Sequence, residues 1–171
     1  MELSPAHERF ILHWGEMGTK WGVNRTVAQV HALLYLSPKP LNADDIVETL
    51  KVARSNVSNS LKELQGWGIV HVTHVIHDKR DHFEAKKDVW DLFQTIADAR
   101  KRREIDPTRT LLKEMLEQAK GLDGYTRERL ESMSEFFETT GSWYEQVSRW
   151  PRPVLLKLLR LGDKLSKLLG G

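Results

Sequence analysis

The segment Leu41–Gly68, LNADDIVETLKVARSNVSNSLKELQGWG, most narrows what this chain can become: two helical periodicities meet across a gap long enough only for a turn. Ile46, Val47 and Leu50 make the inner face of a first short helix, and Val52 plugs the turn. Asn42 is placed to cap that helix, with Asp44 and Asp45 in the first turn, where the helix dipole favours them. Val57, Leu61 and Leu64 form the inner face of a second helix near 53–67. With those three turned inward, Arg54, Ser55, Asn56, Ser58, Asn59 and Lys62 are left outside, with no acidic residue before Glu63. The period then changes. Residues 69–76 are rich in β-branched side chains, His77-Asp78-Lys79-Arg80-Asp81 reads as a polar hairpin tip, and 82–85 as a short return strand.

The outer face of the second helix has a chemistry that helix stability does not explain, because Ser and Asn are mediocre helix formers. In a major groove the same side chains are useful. Asn pairs bidentately with adenine, Arg with guanine, Ser with either, and carboxylates would be repelled by phosphates. A polar first turn on any surface helix could show such residues singly. Here they follow a short helix and precede a hairpin, which is the organisation of a winged helix-turn-helix. Lys79 and Arg80 fall where a wing would run along the DNA backbone or enter the minor groove, and Asp78 is placed to orient Arg80 or to cap the turn.

The remaining chain reads as helix. Leu3, Phe10, Trp14, Met17 and Trp21 mark a helix near 5–20, and Val23, Val27, Val30 and Leu34 a second, closed by Pro38 and Pro40. Val89, Phe93 and Ile96 carry a helix towards Ile105, where Asp106-Pro107 should interrupt it. Two more are expected at 108–120 and 126–148, and a last one from Val154 through Leu158, Leu161, Leu165 and Leu168. The expected fold is mainly α with a small β-hairpin wing: an N-terminal dimerisation helix at 1–22, the winged helix-turn-helix at 23–86, and a helical dimerisation region at 87–171.

Around the reading segment, WGVNRTVAQVHALLYLSPKPLNADDIVETLKVARSNVSNSLKELQGWGIV and HDKRDHFEAKKDVWDLF resemble the MarR-type winged-helix regulators, in particular their GbsR-like branch. The resemblance covers about residues 20–105; its marks are a Ser/Asn-rich helix, then L-x-x-L-x-x-W-G-I-V, then a D-K-R wing. His77 stands where such wings often have Gly, and the chain beyond Pro107 follows the pattern poorly. The resemblance implies a homodimer on a pseudo-palindromic operator in double-stranded DNA, with terminal helices between subunits. Arg54, Ser55, Asn56, Ser58, Asn59 and Lys62 would then lie on the recognition helix and Asp78, Lys79 and Arg80 on the wing. The expected function is a sequence-specific transcription regulator, a repressor by resemblance, tuned by a small-molecule effector.

Composition limits the alternatives. Cysteine is absent, which removes disulfides and thiol chemistry and fits a reducing cytoplasm. No leader-like or membrane-spanning run is visible, and no phosphate loop or nucleophile elbow, so neither enzyme nor cofactor is expected. The net charge of +2 is uneven: residues 22–86 carry eight basic and seven acidic groups, so DNA binding rests on placement rather than bulk charge. His71, His74, His77 and His82 alternate across a strand and lack helical ligand spacing, so no metal is expected. Trp143, Tyr144 and Trp150 could face a quaternary ammonium ion, but packing is the simpler reading. The competing class is a helical protein- or membrane-interaction module using the cationic amphipathic segment VLLKLLRLGDKLSKLLGG. Packing of its Leu stripe on a partner subunit is the preferred reading over membrane binding.

Overall fold

The computed structural model describes residues 3–118, 121–158 and 161. They form two units, one ending at Ala99 and the other beginning at Arg100.

The first unit is organised around α2 (Arg25–Leu36), whose Val30, Ala32, Leu33 and Leu34 are fully buried. Asn24 starts the helix by accepting the Thr26 amide at 2.8 Å. Its C-terminal carbonyls, those of Leu34, Tyr35 and Ser37, accept from Lys87 Nζ at 2.7–2.9 Å, a cationic cap from a residue far along the chain. Helix α1 (Pro5–Lys20) packs along α2 with Ile11 in the core. The approach is close at Gly15 and Gly18: a Cβ at Gly18 would stand 2.5 Å from Ala28 Cβ. Phe10 and Trp14 of the expected stripe pack on the core half-buried, whereas Trp21 is exposed.

A two-residue strand, β1 (Leu41–Asn42), leads into α3 (Ala43–Leu50), and a turn through Lys51 in the left-handed region (φ 52°) leads to α4 (Arg54–Gly66). Asn42 accepts from the amides of Asp44 and Asp45, and the Asp45 carboxylate accepts the Asn42 amide, so the expected cap is a reciprocal one. Ile46 of α3 and Val57, Leu61 and Leu64 of α4 are buried with α2 in one core. Strands β2 (Val70–Val75) and β3 (Asp78–Ala85) form the wing, and β3 also pairs with β1, giving the antiparallel order β1-β3-β2.

Three expectations are corrected. The polar tip at 77–81 is instead a two-residue turn, Ile76-His77, closed by Val75 opposite Asp78. His77 supplies the left-handed conformation (φ 68°) that Gly would usually provide, so Lys79 and Arg80 belong to a strand. The sheet has three strands, not two, because Leu41 and Asn42 pair with Phe83 and His82. Finally, Pro107 does not interrupt the helix: the backbone stays helical from α5 (Val89–Arg100) through a π-helical turn (Lys101–Ile105) into α6 (Asp106–Glu117). The wider turn accommodates a proline ring that would clash in a continuous α-helix.

The second unit pairs α6 with α7 (Gly124–Ser148). Arg109 reaches from α6 to Glu138 and to Glu145 at 3.3 Å, lying over Gly141, and Lys101 bonds Asp106 at 2.7 Å and Glu145 at 3.0 Å. Of the last expected helix, residues 152–158 are helical; Leu165 and Leu168 lie outside the described residues.

Two predictions follow from the α1–α2 contact. Gly18→Ala should cost about 1–3 kcal/mol, because its new methyl meets a methyl on the facing helix rather than a pliable chain end; denaturant unfolding measures it. His31 is buried between Trp14 and Tyr35 with no hydrogen-bond partner for Nε2, and burial, aided by Lys87, holds its pKa down to about 4. The folded imidazole stays neutral while the unfolded one takes a proton below about pH 6.5. Stability should therefore fall by up to ~3 kcal/mol as pH drops from about 6.5 to about 4, and His31→Leu should abolish that part of the profile.

Candidate nucleic-acid interface

Helix α4 divides its residues cleanly. Val57, Ser60, Leu61 and Leu64 are buried, whereas Arg54, Ser55, Asn56, Ser58, Asn59 and Lys62 are all exposed. The burial of the three aliphatic residues aims the polar set outward, since side chains three and four apart share a face. The result is a short hydrogen-bonding surface with Arg54 at its N-terminal end and Lys62 two turns on.

In the wing, Lys79 and Arg80 are exposed on β3 just past the turn. Asp78 bonds Arg80 through both main chain and side chain. Its Oδ1 accepts the Arg80 amide at 3.0 Å, and its two oxygens accept Arg80 Nε at 2.9 and 3.1 Å and Nη2 at 2.6 Å. These charge-assisted bonds fix the guanidinium's direction, and bonding to Arg80 drives the Asp78 pKa well below the usual carboxylate range. Buried His82 secures the strand beneath, with Nδ1 donating to the Arg80 carbonyl at 2.9 Å. Ile76 at the turn is the most exposed large apolar side chain of the wing, at 84%.

One residue of this surface was not singled out by sequence. Asp44, in the first turn of α3, accepts from Arg54 Nη1 and lies 3.7 Å from Arg80 Nη1. Its sequence position suggests only a helix-dipole role. Contacts spanning ten and 36 residues leave no periodic signal.

The wing histidines have separate surroundings. His71 Nε2 lies 3.8 Å from Glu84, His74 and His77 are exposed, and His82 is committed to the strand. Among the described residues no group of three or more His, Asp or Glu is placed to hold a metal ion.

Comparison with known proteins places this geometry. Residues 21–81 match the model of the MarR family. The match spans α2, β1, α3, α4, β2 and the start of β3 through Asp81, which includes Asp44, the six exposed polar residues of α4, Asp78, Lys79 and Arg80. Across more of the chain, a solved structure described as a transcriptional regulator superposes with a TM-score of 0.70 at 15% identity, covering 84% of this chain and 96% of that one. That likeness establishes the winged helix-turn-helix fold. S. aureus MepR solved with DNA aligns at a TM-score of 0.39 and 18% identity over 67% of this chain and 94% of its own. No curated protein matches the chain. No helix among the described residues is long and apolar enough to cross a membrane.

Exposure on α4 generates a direct test. Asn56→Ala and Asn59→Ala should each change unfolding free energy by about half a kcal/mol or less, as solvent-facing substitutions do. Thermal melts of both variants check this; a large drop would place the carboxamides inside the fold.

Proposed function

We propose that the protein is a sequence-specific transcription regulator of the GbsR-like branch, acting as a homodimer on a pseudo-palindromic operator, as a repressor released by a small-molecule effector. The observation that carries the reading is the α4 face: six exposed groups able to contact bases or phosphates, without a carboxylate among them, beside a wing whose arginine is pre-aimed. Asn56 and Asn59 would read adenine edges, Arg54 and Lys62 would contact guanine or phosphate, and Ser55 and Ser58 would complete the contacts. Lys79 and Arg80 would hold the backbone or the minor groove, with Asp78 as the positioning residue for Arg80.

Dimerisation draws support from the second unit. Its described residues bury little beyond Leu112 and Gly141, while Leu111, Met115, Met133, Phe136 and Trp143 remain exposed. Apolar area of that kind marks an interaction surface, and a palindromic site calls for two-fold symmetry. The effector role rests on family resemblance.

The test is a titration of the DNA upstream of the gene at several salt concentrations, with light scattering on the free protein. The expected result is a dimer that binds this duplex above a scrambled one, with affinity falling steeply as salt rises. Preference for anionic vesicles over any duplex would overturn the reading. Arg80→Ala should weaken binding to both duplexes about equally and lower the salt slope by roughly one unit, as loss of one phosphate contact does. A changed sequence preference with an intact slope would reassign Arg80 to base reading.

A further inference from the structure

The carboxylate of Asp44 stands between the two arginines of the interface. Oδ1 accepts from Arg54 Nη1 and Oδ2 lies 3.7 Å from Arg80 Nη1. Arg54 opens α4 and Arg80 lies in β3, so one side chain of α3 joins the reading helix to the wing. Asp78 leaves room for this. It holds Arg80 through Nε and Nη2, and Nη1 is the nitrogen nearest Asp44.

Folding does not account for the arrangement. The three side chains are between about half and two-thirds exposed, and ion pairs at such positions contribute little to stability. Nor does the start of α3 need the Asp44 carboxylate, because Asn42 and the carboxylate of Asp45 make the reciprocal cap there. What the geometry does resemble is anion recognition: two guanidinium groups from different elements converge on one pair of oxygens, as they would on a DNA phosphate.

We infer that Asp44 is an internal stand-in for a backbone phosphate, which the duplex must displace or sit beside when it engages Arg54 and Arg80. This rests on the DNA-binding reading above. The self-contact holds both guanidiniums in the free protein and lowers affinity for DNA of any sequence. It thereby limits the electrostatic binding that a regulator must not spend on unrelated sites. The near balance of charge over residues 22–86 fits the same restraint, since the unit's basic groups are matched by carboxylates.

The experiment titrates a fluorescent duplex of unrelated sequence at several salt concentrations. It uses the wild-type chain, Asp44→Asn, Asp81→Asn, the double variant Arg54→Ala/Arg80→Ala, and that double variant carrying Asp44→Asn. Asp81 is a carboxylate next to Arg80 in sequence that bonds neither guanidinium, so it reports the generic effect of removing a negative charge. Asp44→Asn should tighten binding roughly three- to tenfold and steepen the salt slope by about one unit, with an almost unchanged melting temperature. Asp81→Asn should gain clearly less, and the gain from Asp44→Asn should vanish when both arginines are absent. Weaker binding by Asp44→Asn, an equal gain from Asp81→Asn, or a gain that persists without the arginines would each overturn the inference while leaving the DNA-binding reading in place. A wild-type chain with no salt-dependent affinity for any duplex would instead overturn that reading, and the inference with it.

Discussion

The packing of α4 against α2 is the contact on which the rest of the first unit depends. Val57, Leu61 and Leu64 find a surface already built by Val30, Leu33 and Leu34, and their burial sets the rotation of α4 about its axis. Burying each such side chain contributes about 1.5–3 kcal/mol, several times what any solvent-exposed ion pair on this surface can offer. Hydrophobic burial therefore decides which way the Ser/Asn face points, and electrostatics only trims the surface it exposes. A helix rotated by a quarter turn would put Ser58 or Lys62 into an apolar core, a cost no surface contact could offset.

The wing depends on the same core at one remove. Phe83 and Ala85 of β3 are buried with α2, and β1 ties the strand to the start of α3. The far end of the hairpin extends past this anchorage, which is why Val72, Val75 and Ile76 are exposed. Arg80 lies between the two regimes. Its strand is held by His82 below, while its guanidinium is directed by Asp78 and Asp44 at the surface. Position comes from burial and direction from charge.

The second unit works differently. With Leu112 and Gly141 as the buried exceptions, α6 and α7 are tied by Arg109 and Lys101 to Glu138, Glu145 and Asp106. Such a network specifies how two helices register but supplies little of the apolar burial that keeps helices together. The larger apolar residues of these two helices, among them Leu111, Met115, Met133, Phe136 and Trp143, are exposed.

Read alone, the sequence determined the helices of the first unit, the inner and outer faces of α4, the cap at Asn42 and the existence of a wing. Those features are local, fixed by periodicities of 3.6 and 2 residues and by side chains that bond their own backbone. Gly15 and Gly18, three apart on α1, are the small residues that its close crossing with α2 needs. Only the tertiary structure decided the two-residue turn at Ile76-His77, the third strand at Leu41–Asn42, the π-helical passage around Pro107, and the place of Asp44 between two arginines. Each of these depends on which distant segment lies alongside, or on a strain that the surrounding packing tolerates. His77 shows the difference most directly. Its residue type argues against a left-handed turn, and the pairing of β3 with both β1 and β2 holds the turn closed, because the ladder and the buried Phe83 outweigh the local cost.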